Sequence, residues 1–352
     1  MSVRLPEKLT SLKAYDPITG SYAVRLDANE SYFDLPQVLK AKVCDVIEQI
    51  PFNRYPDPIA AEVVEAFAAY YGISPDCVTA GNGSDEIITL LLGTFLEKGA
   101  RLVTVTPDFS MYGVYAALSE IEVVTVQKQE NLQIDMDALI AAAKNAQAVV
   151  FSNPCNPTSL GEPKEAVIRL IESAPDTLII VDEAYMDFWD ESVMDLITKY
   201  DNLIVLRTCS KAIGLAACRM GFAVMDSCKT GLLRAAKSPY NCDAVTQAIC
   251  ATVLREQSIL RHCCDEIILQ TQRLYAALSN LQHLYPDLIE TVYAPRTNFV
   301  FVRTVYAKEI YEQLKEAGIA VRCFPDGLRI CAGTRREHTL LLSELERILK
   351  PE

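Results

Sequence analysis

The sequence predicts an α/β fold: a mostly parallel sheet with helices on both faces, plus a smaller C-terminal α+β domain. Three observations predict it. Between about residues 40 and 230, short apolar runs alternate with helix-length segments. Those runs are apolar at consecutive positions, the pattern of strands buried on both faces. Beyond about residue 240 the alternation gives way to a long helical stretch and then to short strands close together.

Taken in order, residues 1–35, with Pro6, Pro17 and Gly20, read as an irregular arm packing on the small domain. Residues 36–240 read as the large domain. Its strand candidates are 102–105, 122–126, 148–152, 178–181, 203–206 and 221–224, with helices such as 84–96, 136–144 and 164–173 between them. Residues 241–352 read as the small domain. A helical region over about 244–281 precedes strands at 298–303, 320–323 and 328–331, and a helix from about Arg335 closes the chain.

At 352 residues the chain has room for about two domains. Half its residues are hydrophobic and 22% are charged, which excludes a disordered chain. Lys plus Arg is 33 and Asp plus Glu is 46, a net charge of −13. Such a chain binds nucleic acid poorly and is repelled by anionic membranes, so anionic substrates need specific Arg and Lys contacts. The N-terminus has no apolar signal core, and the longest uncharged, mostly apolar stretch, 87–96, is about half a bilayer span. A cytoplasmic protein is expected. The twelve Cys are irregularly spaced without a Cys-x-x-Cys pair and are expected to be reduced. The three His, at 262, 283 and 338, are too scattered for a His-based zinc site or a Ser-His-Asp triad, so no metal is expected.

Several residues could carry chemistry. Lys211, in Ser210-Lys211, follows the apolar run 203–206, where desolvation and nearby cations would make its amine nucleophilic. Asp182 ends the run 178–181, at the sheet edge where parallel sheets bind ligands; it could ion-pair with a protonated heterocyclic nitrogen. Gly81-Asn82-Gly83-Ser84-Asp85-Glu86 opens a helix and could bring backbone N–H groups to a phosphate. Glu86 stands at the third glycine position of a dinucleotide fingerprint, which disfavours a nicotinamide-dependent dehydrogenase. Asn156, between Pro154 and Pro157, could donate to a phenolic oxygen. Arg219, Arg322 and Arg329 are candidate anion binders, Arg329 from inside the apolar strand Leu328-Arg329-Ile330. Each has an ordinary reading taken singly: a surface lysine, a helix cap, a turn, a rim arginine. Together they supply an amine, a strand-end carboxylate, a phosphate cradle and a carboxylate clamp, the parts needed to use pyridoxal phosphate on an amino acid.

The chain resembles the fold type I pyridoxal-phosphate aminotransferases, and among them the histidinol-phosphate aminotransferase branch. The resemblance rests on Leu26-Asp27-Ala28-Asn29-Glu30, Asn53-Arg54-Tyr55-Pro56-Asp57, Gly83-Ser84-Asp85-Glu86, Asn156-Pro157-Thr158, Asp182-Glu183-Ala184-Tyr185, Arg207-Thr208-Cys209-Ser210-Lys211, Arg219-Met220-Gly221 and Leu328-Arg329-Ile330. The first two segments favour the branch over its relatives.

The resemblance implies roles. Lys211 would join the cofactor as an imine and shuttle the proton. Asp182 would pair with the pyridine nitrogen, and Tyr185 and Asn156 would hydrogen-bond the ring hydroxyl oxygen. Phe109, where relatives usually carry Tyr, would stack on the ring. Gly83, Ser84, Thr208, Ser210 and Arg219 would hold the cofactor phosphate, and Asp85 would also bind the cofactor. Tyr55 would reach the cofactor of a neighbouring subunit, which implies a homodimer with shared sites. Arg329, Arg322, Tyr15 and Asn29 would face the substrate. The partners implied are small amino and keto acids, with transamination between histidinol phosphate and 2-oxoglutarate the expected reaction. An aromatic amino-acid aminotransferase or a threonine-phosphate decarboxylase-like lyase is the alternative. Ser159 and Cys323-Phe324 depart from the family pattern, and the latter bears on substrate choice.

Overall fold

The computed structural model describes residues 6–9 and 18–350; Tyr15 lies outside the described residues. Its strands are β1 (Val24–Arg25), β2 (Val78–Asn82), β3 (Arg101–Thr106), β4 (Glu122–Gln127), β5 (Ala148–Ser152), β6 (Leu178–Asp182), β7 (Leu203–Thr208), β8 (Met220–Val224), β9 (Thr291–Val292), β10 (Phe299–Arg303), β11 (Ile319–Ala320), β12 (Arg322–Phe324) and β13 (Gly327–Cys331). Seven of them form one sheet in the order β2-β8-β7-β6-β5-β3-β4. Strands β3 to β7 run parallel, and β8 runs antiparallel to both of its neighbours. The predicted α/β class with a mostly parallel sheet holds.

The consecutive apolar positions feed two cores. Val103, Val149, Phe151, Ile179, Val181 and Val205 face one layer, with residues of helices Ala61–Tyr71, Lys164–Ser173 and Ala244–Leu254. Leu102, Val150, Ile180, Ile204 and Leu206 face the other, with helices Gly83–Phe95 and Met111–Leu118. Strands β5, β7 and β8 are buried at every position, because both faces are covered.

Three details differ from the sequence reading. Strand β2 carries Gly81 and Asn82, residues depleted in strands, and forms through its antiparallel pairing with β8. The region 244–281 is two helices, Ala244–Leu254 and Gln257–Leu284. The first packs in the large core, and the second runs on into a separate core with Leu274, Leu278, Phe299 and Val300. The arm is not wholly irregular: β1 pairs in parallel with β11. The small antiparallel sheet has the order β12-β13-β10-β9. Its core includes Tyr185 and Ala212, so it reaches the edge of the large sheet. No described helix is long and apolar enough to cross a membrane.

Candidate active site

Topology brings distant segments to one sheet edge. The carboxyl ends of β5, β6 and β7 lie together, so Ser152, Asp182 and Thr208 do too. Because β8 is antiparallel, its beginning meets the same edge, and Arg219 arrives just before Met220. Strand β2 is antiparallel to β8 and pairs Asn82 with Met220, so Gly83 and Ser84 also emerge there. From the small sheet, β13 contributes Arg329.

The resulting cavity is lined by Asn29, Ser84, Asp85, Phe109, Asn156, Asp182, Tyr185, Thr208, Ser210, Lys211, Arg219 and Arg329, with Ala28, Ser152 and Ala184. Larger surface cavities, of about 510 and 640 Å³, lie elsewhere and gather no comparable set; this one is about 210 Å³ and is singled out by its chemistry.

At its floor, Asp182 is buried and accepts hydrogen bonds from Tyr112 Oη (2.8 Å) and Ala184 N (3.1 Å). Burial pushes its pKa up to about 6 against those bonds, with the charges of Asp108 and Asp85 adding to the rise. Among the described residues no cation forms an ion pair with it. Across the cavity, Lys211 Nζ donates to the Ala28 carbonyl at 3.2 Å. Burial, and then the Arg329 charge, bring its pKa down to about 8. Tyr185 Oη accepts from Asn29 Nδ2 at 2.8 Å, and burial pushes its phenol well above the ordinary value.

One corner is cationic and rich in donors. Arg219 sits at φ 52°, donates to Ser210 Oγ (3.4 Å) and pairs with Asp85 (3.1 Å). Thr208 Oγ1 accepts from Ser210 N at 3.1 Å. Gly83 opens the helix Gly83–Phe95 at φ +81°, and a Cβ there would stand 2.6 Å from Arg219 Nη2. Gly221 has the matching need: its Cβ would meet the Gly83 carbonyl carbon and Ser84 N at 2.6 Å. These glycines let a helix N-terminus and a guanidinium converge, which is the geometry of an anion site.

Opposite, Arg329 donates to Asn156 Oδ1 and to the Asp27 carbonyl (2.6 Å). Its Nε has no partner among the described residues, although the side chain is buried. A buried guanidinium not matched to a carboxylate is a receptor for one.

The family profile for aminotransferase class I and II matches residues 22–345. The chain belongs to the class I and II aminotransferases. It is 36% identical over 337 residues to the histidinol-phosphate aminotransferase of Clostridium novyi, covering 94% of this chain and 93% of that one. The crystal structure of histidinol-phosphate aminotransferase from Sinorhizobium meliloti in complex with pyridoxal-5'-phosphate superposes with a TM-score of 0.87 at 24% identity, covering 98% of this chain and 97% of that one. L-threonine-O-3-phosphate decarboxylase from Porphyromonas gingivalis shares the fold at a TM-score of 0.79 and 20% identity, covering 93% and 100%. The fold therefore serves more than one reaction.

Among the described residues, three expected site residues of this aminotransferase are not part of the cavity lining: Arg322, Tyr55 and Gly83, the last of which adjoins it beside Arg219. Arg322 is the Cα partner of Arg329 across β12 and β13, yet it lines a second cavity with Tyr22, Tyr311 and Lys315. Arg329 is held into the active-site cavity by Asn156 Oδ1 and the Asp27 carbonyl. Tyr55 is 80% exposed and stacks on Tyr240 with centroids 4.4 Å apart, at the surface of the chain. Tyr15 lies outside the described residues. Sequence reasoning missed Tyr112, which holds Asp182, and Ser152, whose hydroxyl accepts from Asn156 N at 3.2 Å. No local motif marks either residue; only the assembled sheet edge does.

Proposed function

We propose that this aminotransferase uses pyridoxal phosphate and exchanges the amino group between histidinol phosphate and 2-oxoglutarate. The observation that carries the cofactor assignment is Asp182: a buried carboxylate, costly to ionise, with no cation paired to it among the described residues. A protonated pyridine nitrogen is the partner its environment suits. The rest of the donor set fits the same group. Lys211 offers an amine of lowered pKa, and the Gly83, Ser84, Thr208, Ser210 and Arg219 corner suits a phosphate.

When bound, pyridoxal phosphate supplies a carbonyl that takes up the amino group and a cationic ring that accepts electron density from the substrate α-carbon. The chain does the rest. Asp182 would hold the proton on the ring nitrogen. Tyr185 and Asn156 would orient the ring through its phenolic oxygen, and Phe109 would stack on it. Arg329 binds the substrate carboxylate in the amino-acid half of the reaction. Lys211 would be the amine that holds the cofactor through its carbonyl, and the group that would move the proton at the substrate α-carbon. With a pKa of about 8, roughly a quarter of such amines are free base at pH 7.5, against about one in a thousand at the ordinary value.

Histidinol phosphate as substrate rests on the 36% identity to enzymes of that name over 94% of the chain. The same reading includes a cytoplasmic homodimer, with an arm to residue 35, a large domain to 240 and a small domain beyond. Supporting it, Phe52, Tyr55 and Ile59 are exposed, and Tyr240 stacks on Tyr55, an apolar cluster suited to a second copy. All twelve cysteines are among the described residues and none is paired, as suits a reducing compartment.

A substrate panel tests the reading. Histidinol phosphate, phenylalanine and threonine phosphate are each mixed with holoenzyme and 2-oxoglutarate, and glutamate and carbon dioxide are measured. Glutamate formation fastest with histidinol phosphate supports it. Preference for phenylalanine, or carbon dioxide from threonine phosphate, overturns the substrate assignment.

A further inference from the structure

Behind the cavity lies a chain of polar contacts that the reaction as described does not use. Asp108, between Pro107 and Phe109, receives three N–H and O–H donors, Phe109 N at Oδ1 (2.7 Å), Ser152 N at Oδ2 (3.0 Å) and the Ser152 hydroxyl at Oδ1, beside a weaker one from the Cys155 thiol. Ser152 Oγ in turn accepts from Asn156 N at 3.2 Å. One carboxylate thus ties the loop after β3, carrying Phe109, to the loop after β5, carrying Asn156. These two side chains line the cavity.

Three donors converging on one carboxyl favour its ionised form, which accepts at both oxygens. A cation is at hand. Lys128 Nζ donates to Cys155 Sγ at 2.9 Å, and that sulfur lies 3.8 Å from Asp108 Oδ1. Burial opposes the charge on Lys128, but Cys155 and Asp108 outweigh it and push its pKa up. Burial also pushes the Asp108 pKa up, with Lys128 and the hydrogen bonds from Ser152 and Phe109 opposing the rise. The other titratable groups facing this pair are Tyr112, Asp182 and, on the Lys128 side, Glu162.

We propose that Asp108, with Lys128 as its counter-cation, is a positioning residue that sets the placement of Phe109 and Asn156 about the cofactor ring. The proposal rests on the cofactor reading above. Asp108 touches no reacting atom. It acts through the two residues that would bracket the ring, and its charge contributes to the raised pKa of Asp182.

The test uses purified holoenzyme of the wild type, Asp108→Asn, Ser152→Ala and Lys128→Met. The readouts are the dissociation constant for pyridoxal phosphate and the visible circular dichroism of the bound cofactor, followed against pH. Asp108→Asn keeps the shape but loses an acceptor, so its dissociation constant should rise about 10- to 100-fold, with a weakened dichroic band. Ser152→Ala, which leaves Asp108 charged, should weaken the band in the same direction by less. Lys128→Met removes the cation that opposes protonation of Asp108, so the Asp108 pKa climbs further. Its band should match wild type at pH 9 and disappear on acidification at least one pH unit earlier. A wild-type band and dissociation constant in Asp108→Asn overturn the proposal. So does an unmoved acid midpoint in Lys128→Met. If Asp108→Asn does not fold, Ser152→Ala and Lys128→Met decide by the same criteria. Wild-type protein that takes up no pyridoxal phosphate overturns the cofactor reading and this proposal with it, whereas normal uptake with unaltered variants overturns this proposal only.

Discussion

Asp182→Asn should stabilise the cofactor-free protein while damaging the enzyme. In the folded chain the Asp182 pKa rises from 3.8 to about 6 because the side chain is buried without a cation. Each pH unit of such a difference is worth about 1.4 kcal/mol, so keeping Asp182 ionised costs the empty fold about 3 kcal/mol near neutral pH. The sign is set by proton binding. The folded state holds the proton more tightly than the unfolded one, so stability declines as pH rises through about 4 to 6 and the full cost applies above. Asparagine carries no charge and can still accept from Ala184 N, while its amide donates to the Tyr112 oxygen, so few hydrogen bonds are lost. Urea unfolding of the cofactor-free proteins should therefore give the variant a gain of about 1–3 kcal/mol at pH 8 that shrinks toward zero near pH 4. Turnover by the loaded variant should fall more than cofactor retention does, because a neutral amide cannot hold the ring nitrogen cationic. A variant no more stable than wild type at pH 8, or a gain independent of pH, would refute the electrostatic argument.

Other consequences follow from the same geometry. Reconstitution of the cofactor-free protein with pyridoxal phosphate should speed up with pH around a midpoint near 8, and Arg329→Met should move that midpoint upward, since the Arg329 charge lowers the Lys211 pKa; stopped-flow absorbance reads both. Gly83→Ala should weaken phosphate retention and cost about 1–3 kcal/mol of stability, because the residue sits at φ +81° with Arg219 2.6 Å from the added carbon; equilibrium dialysis and thermal melts check it. Arg207→Met should cost about 3–5 kcal/mol in urea unfolding, because it strands the fully buried Glu183 that pairs with Arg207 at 2.8 Å.

How much of this was legible in the sequence depended on the range of the physics involved. Strands β3 and β5 to β8 announce themselves because burial on both faces demands consecutive apolar residues. Lys211 and Asp182 stand out because a charged residue ending such a run is at a sheet edge. Strand β2 was hidden because it carries Gly81 and Asn82, and a Cβ at Gly81 would stand 2.5 Å from Ile87 Cγ1, a tertiary requirement. The break between Leu254 and Gln257 was hidden because no Gly or Pro marks it and only the two separate cores distinguish the helices. Tyr112, Ser152 and Asp108 escaped for the same reason: their partners are Asp182, Asn156 and Lys128, which chain order keeps apart and the sheet edge brings together.

The central claim is that Lys211 carries the cofactor opposite Asp182. Holoenzyme loaded with pyridoxal phosphate is reduced with borohydride, digested and mapped by mass spectrometry. A pyridoxyl group on the peptide containing Lys211, absent from Lys211→Ala, is the predicted result. A pyridoxyl group on another lysine, with Lys211 unmodified, would contradict it.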